Sequence, residues 1–223
     1  MSYMKNHIFI LRLDSQNFFP RLLDHLLGRL LGVEYDGDEK AYTSVERSTV
    51  TIMDKTIYSH QVLRVNYTTY DLRREQDTIN IRTKPDIMLL SHEDSLGDGD
   101  EAAPHPYWYA RVIGIFHAHV RHTGPHTTSP LPRRMDFLWV RWFGRDSSSL
   151  RQSGWKARRL MRVGFQDGES PGAFGFLDPT LVIRSVHLEP AFALGHTDEY
   201  LSPSIARQPS EGDEDWAFYY VNM

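Results

Sequence analysis

Tyr107-Trp-Tyr-Ala-Arg-Val-Ile-Gly-Ile-Phe-His-Ala-His-Val120 and, after a loop, Phe137-Leu-Trp-Val-Arg-Trp-Phe143 decide the fold class. Both stretches are dense in β-branched and aromatic residues, the types that fit a pleated, half-buried surface. Neither has the 3.6-residue recurrence of an amphipathic helix. Pro125, Pro130 and Pro132 lie between them and interrupt any continuous element. The two stretches predict neighbouring strands at the centre of a mainly β domain.

Weaker signals surround this pair. Thr49-Val-Thr-Ile-Met53 and Ile57 to Tyr70 read as strands separated by a polar turn at Asp54-Lys55. Asp86-Ile-Met-Leu-Leu-Ser91 reads as a short strand, and residues 92–106 as an acidic loop rich in Gly and Pro. Thr180 to Leu188 predicts a last strand, preceded by Phe174-Gly-Phe-Leu-Asp-Pro179, and a short helix is expected near Trp155 to Met161. Toward the N-terminus, residues 15–32 predict a helix. Asn17 caps it, Pro20 suits its first turn, and Leu22, Leu23, Leu26, Leu27, Leu30 and Leu31 make an apolar stripe ended by Gly32. Tyr35 to Glu39 is a turn with only a fragment of a calcium-loop pattern. The expected architecture is mainly β (α+β), a partly open β-barrel with a helical arm. The arm takes 1–48, the β domain 49–193, and a polar acidic tail 194–223.

Composition narrows the function classes. The 223 residues include no cysteine, which removes disulfides, thiolate nucleophiles and every Cys-containing zinc site. No apolar run approaches the roughly 20 residues a bilayer span requires, and Met1-Ser-Tyr-Met-Lys-Asn-His7 lacks the apolar stretch of a secretory signal. A nuclear or cytoplasmic protein with no membrane partner, not secreted, is expected. Neither Gly-x-Ser-x-Gly nor a glycine-rich phosphate loop occurs, so no catalytic residue and no cofactor is assigned.

Three constellations remain. Tyr107, Trp108 and Tyr109 open one central strand, and Trp142 lies near the end of the next; rings that enclose a space hold a methylated ammonium by cation–π attraction. The alternative fate of such rings is the core. Between Arg133 and Arg162, nine basic residues face only Asp136 and Asp146, a net of +7 in a chain whose total is −4. Arg133, Arg134, Arg145, Arg151, Lys156, Arg158, Arg159 and Arg162 are the nucleic-acid-binding candidates, set among aromatics that could stack on bases. A solvated face paired with the chain's own acidic loops is the competing reading. Finally, His117 and His119 share a strand face with His122 close behind, the beginning of a metal site and of a metal-dependent enzyme. No carboxylate completes a facial triad before Asp136, so no metal is assigned.

Tyr107-Trp-Tyr-Ala-Arg-Val-Ile-Gly-Ile-Phe116, Leu138-Trp-Val-Arg-Trp-Phe143 and Ile183-Arg-Ser-Val-His-Leu-Glu-Pro190 together resemble the BAH (bromo-adjacent homology) domain over roughly 85–190. The resemblance implies a reader of histone tails or nucleosomes. The methyl-lysine cage of an origin-recognition member maps onto Trp108 and Trp142, while the acids that follow its first strand are replaced here by His117, His119 and His122. The whole chain also resembles the C-terminal accessory region of transposon proteins from mushroom-forming fungi, the Plavaka group of the KDZ transposons. Asp24-His-Leu-Leu-Gly-Arg-Leu-Leu-Gly32, Arg64-Val-Asn-Tyr-Thr-Thr-Tyr-Asp71, Arg74-Glu-Gln-Asp-Thr-Ile-Asn80, His105-Pro-Tyr-Trp-Tyr-Ala-Arg111, Trp139-Val-Arg-Trp-Phe143, Phe174-Gly-Phe-Leu-Asp-Pro179, Asp215-Trp216 and Tyr219-Tyr-Val-Asn222 carry it. It implies chromatin or DNA as partner, and a transposase domain that docks on the N-terminal helix.

Overall fold

In the computed structural model, β1 (Val50–His60), β4 (Asp86–Leu90), β5 (Tyr107–His122) and β6 (Arg133–Arg145) frame a mainly β chain. The structure describes residues 17–222 apart from 36, 38–39, 93–104, 126, 128, 130, 147–159, 203, 205 and 208–211. The remaining strands are β2 (Val62–Thr68), β3 (Arg74–Asn80), β7 (Arg162–Phe165), β8 (Phe174–Leu177), β9 (Val182–Ser185), β10 (His187–Pro190), β11 (His196–Thr197), β12 (Asp215–Trp216) and β13 (Tyr219–Asn222). The main sheet runs β10-β13-β7-β6-β5-β4-β9, with β1 added on β5 and β8 on β6. β2–β3 and β11–β12 form two small separate ladders. Among the described residues the sheets do not close into a barrel. The helix expected near Trp155 lies outside the described residues.

The chain divides into two compact units, Met1–Ile57 with His117–Met135, and Tyr58–Phe116 with Asp136–Met223. In the first, α1 (Phe18–Leu31) buries Phe18, Leu22, Leu26 and Leu27, while Leu31 is exposed. The expected leucine stripe is thus buried at Leu22, Leu26 and Leu27 and half-buried at Leu23 and Leu30. Asn17 adopts a left-handed conformation (φ 52°) and makes no side-chain cap, a correction to its expected role; Gly32 closes the helix in the left-handed region (φ 71°). The buried Asp24 joins α1 to α2 (Ser44–Arg47), accepting from Arg47 at 2.7 and 2.6 Å and from the Tyr42 backbone N–H at 3.1 Å. A capping box between Thr43 and Glu46 starts α2, and the hydrogen bonds from Thr43 hold the Glu46 carboxyl below its usual range.

The second unit has a core of Met88, Tyr109, Phe143, Val163, Phe165, Val186, Leu188, Tyr219 and Val221. Phe143 and Phe165 stack at 4.2 Å, and Tyr219 meets both edge-on. The acidic tail expected over 194–223 is corrected here. Tyr219 and Val221 are buried in that core, and β13 pairs with both β10 and β7. The alternation Tyr219-Tyr-Val-Asn222 is a strand signal that the neighbouring carboxylates conceal. Two other expectations shift. Asp54 and Lys55 are no turn between strands but two left-handed residues inside a continuous β1. β3, which reads Arg-Glu-Gln-Asp-Thr-Ile-Asn, is a strand that carries almost no apolar residue because it buries only Asp77 and Ile79.

Candidate functional site: an aromatic pair at a strand junction

Trp142 sits where β6 changes partner. Residues Leu138 to Arg141 pair with β8, and Phe143 to Arg145 pair with β7. At the junction the Trp142 N–H donates to the Ala173 carbonyl at 2.8 Å, and its carbonyl accepts from the Gln166 N–H at 3.1 Å. Its indole lies against Gly175, where an added Cβ would stand 2.8 Å from Nε1. A bare backbone at 175 is therefore what gives this ring its place.

Trp108 is held on β5 opposite Leu89 of β4. Its ring stands nearly perpendicular to Trp142, with centroids 6.3 Å apart and an interplanar angle of 80°. Trp142 is 9% exposed, whereas Trp108 is half-buried. The exposed His92, just past the end of β4, lies 5.8 Å from Trp108. His92 also begins the stretch Glu93-Asp-Ser-Leu-Gly-Asp-Gly-Asp-Glu101, whose five carboxylates lie outside the described residues. The Ser91 N–H donates to the Pro106 carbonyl at 2.9 Å.

The other two cage candidates belong elsewhere. Side chains alternate along a strand, so Tyr107 and Tyr109 take the face opposite Trp108, and both pack on the core described above. Burial, with the neighbouring Tyr107 adding to it, pushes the Tyr109 hydroxyl up to about 12, the state of a core phenol. On that face an aromatic enclosure already has an occupant. The Arg111 guanidinium lies 5.7, 5.0 and 5.3 Å from the Phe143, Phe165 and Tyr219 rings, and pairs with Asp86 opposite it at 2.8 and 3.1 Å.

The basic candidates have mixed fates. Arg133 and Arg134 are exposed at the start of β6, and Arg133 donates to the Arg29 carbonyl at 3.4 Å. Arg145 is half-buried; Arg162 pairs with Asp146 at 2.6 Å and lies over the Phe218 ring. Arg151, Lys156, Arg158 and Arg159 lie outside the described residues. Arg141, counted in the +7 of that segment, is 2% exposed and serves the core. It forms a two-bond pair with Asp215 at 3.0 and 2.9 Å, and Arg207 reaches the same carboxylate at 2.9 Å. Burial is the largest influence on the Arg141 guanidinium and lowers its pKa, while Asp215 acts in the opposite direction. Sequence reasoning missed this trio because Asp215 sits in a run of acids that reads as solvated.

Among the histidines, His117 and His119 share a face, their rings perpendicular at 5.7 Å. His122 takes the other face and is buried, with Nδ1 3.2 Å from the Thr127 hydroxyl and Nε2 toward Gly124. The expected trio therefore does not converge, since a residue three positions from His119 on a strand points the other way. Among the described residues no helix is long and apolar enough to cross a membrane. Compared with family models, curated proteins and solved structures, the chain matches none.

Proposed function

We propose that this chain is a non-catalytic, BAH-like binding module that seats a methylated lysine of a histone tail against Trp108 and Trp142, and so acts on chromatin in the nucleus. The perpendicular tryptophan pair carries the reading. A tryptophan face left open beside such an edge-on contact attracts a soft, methylated ammonium more readily than a strongly hydrated one. Trp142 is fixed by its junction and by Gly175, so little ordering is required on binding. The sequence that follows His92 carries five carboxylates up to Glu101, a charge that suits a cationic ligand. The similarity of Tyr107 to Phe116 and of Leu138 to Phe143 to BAH strands supports the same reading.

The test is a titration of wild type and Trp108→Ala with unmodified, mono-, di- and trimethylated histone peptides, beside a thermal melt of each protein. Wild type should prefer a methylated state. Trp108→Ala should lose that preference, weakening binding by about 1–2 kcal/mol, roughly five- to thirty-fold, with the fold retained. Equal binding across methylation states, or no binding, overturns the reading. Salt-sensitive binding of DNA in its place would favour the exposed arginines that open β6.

A further inference from the structure

Phe192, Ala193 and Leu194 form one turn of 3-10 helix in which all three side chains are exposed, Phe192 at 71% and Leu194 at 43%. The backbone that presents them is tied at both ends. The Ala191 N–H donates to the Phe218 carbonyl at 2.9 Å, and the Ala217 N–H donates to the Gly195 carbonyl at 3.1 Å. Gly195, at φ 73°, takes a conformation that side chains other than glycine rarely adopt. The turn is therefore a held feature of the fold. Beside it, Trp216 of β12 receives the His196 ring at 3.7 Å and the Phe192 ring edge-on at 5.1 Å, making one aromatic surface.

Four exposed carboxylates border this surface. Thr197 pairs with Asp215, so Asp198 and Glu199 leave one end of the β11–β12 ladder where Asp213 and Glu214 enter it. None of the four makes an ion pair among the described residues. The nearby guanidiniums of Arg141 and Arg207 are buried and committed to Asp215, and together they exceed it by a single charge. At the neighbouring Tyr200 burial does most to raise the hydroxyl pKa, and Glu199, Asp146 and Asp215 add to it.

We propose that this surface is a docking site for a Lys/Arg-rich peptide segment carrying an aliphatic side chain, the apolar residue resting on Phe192, Leu194 and Trp216 and the cations meeting Asp198, Glu199, Asp213 and Glu214. Rigid aromatic anchors inside a charged rim are the usual anatomy of an interface centre. The sign of the rim selects a basic partner. The site is separate from the Trp108–Trp142 pair and requires no methyl group.

The experiment uses the full chain and a fluorescent ten-residue probe of lysine, arginine and one leucine, followed by anisotropy across a salt series. Wild type should bind at low salt and weaken as salt rises. Phe192→Ser should weaken binding about tenfold at every salt concentration. Asp213→Asn with Glu214→Gln should weaken it most at low salt and flatten the salt dependence. All three substituted side chains are exposed, so melting temperatures should stay within a degree or two of wild type, which separates lost contacts from lost folding. Failure of wild type to bind, equal binding of a Glu/Asp version of the probe, or unchanged affinity in both variants overturns the proposal. So does concentration-dependent self-association abolished by Phe192→Ser, which would assign the surface to a second copy of this chain. The probe carries no methylated lysine, so none of these outcomes bears on the tryptophan pair.

Discussion

Asp215 is one carboxylate serving two buried guanidiniums, so its loss and the loss of one arginine are not equivalent. Asp215→Ala would leave Arg141 and Arg207 facing each other out of water, with the Arg141 guanidinium already pressed 3.8 Å from the Phe165 ring. Breaking a buried pair from the carboxylate side costs about 3–5 kcal/mol. Arg207→Met leaves the matched Arg141–Asp215 pair in place, and urea unfolding should register a markedly smaller loss for it. Equal losses for the two variants would show that the charges are not desolvated as described. Gly175 makes a second prediction at the same scale. Gly175→Ala must displace the Trp142 indole, for an expected cost of about 1–3 kcal/mol by overpacking. A wild-type melting curve for this variant would show that Trp142 is not seated on Gly175.

Elements differ in how much of their apolar surface they use. The buried leucines of α1, Leu22 and Leu26, are each 0% exposed, whereas Leu23 and Leu30 are half-buried. Leu22→Ala and Leu26→Ala should each cost about 2–5 kcal/mol, with Leu23→Ala below that range, as read from denaturant midpoints at constant slope. The helix was legible because its leucines recur at helical spacing and Gly32 stops it. The same reasoning found β4, β5 and β6, whose apolar density is high on both faces. It missed β3, because a hairpin strand exposed on most of its length has no buried face to imprint on its sequence. Cross-strand pairs such as Tyr67 with Glu75 at 2.8 Å and Asn66 with Gln76 at 2.8 Å hold it, and polar pairs leave no periodic signature.

For the whole molecule the decisive feature is the C-terminal stretch. Because β13 lies between β10 and β7 in the main sheet and places Tyr219 and Val221 in the core, removing residues 215–223 opens a sheet and strips Arg141 and Arg207 of their acid. Such a truncation should lose the dispersed amide spectrum of the second unit and its resistance to protease. A solvated tail would be removable without either effect. A normally folded truncation would reject the pairing of β13.

The sequence by itself determined the mainly β class, the two long central strands, the N-terminal helix and its stop, because each follows from residues near one another in the chain. Local pattern also proposed Trp108 and Trp142. It could not separate them from Tyr107 and Tyr109, since which face of β5 meets the core depends on strands as distant in sequence as β13. Only the tertiary structure decided that Trp142 stands at a junction between two partner strands, that Arg111 fills an aromatic enclosure of its own, and that Arg141, Arg207 and Asp215 share one buried site. Only it placed Phe192 and Trp216 together beneath an acidic rim. These are long-range juxtapositions, and a charge or a ring takes its role from the dielectric and the neighbours it meets after folding, which composition and spacing do not encode.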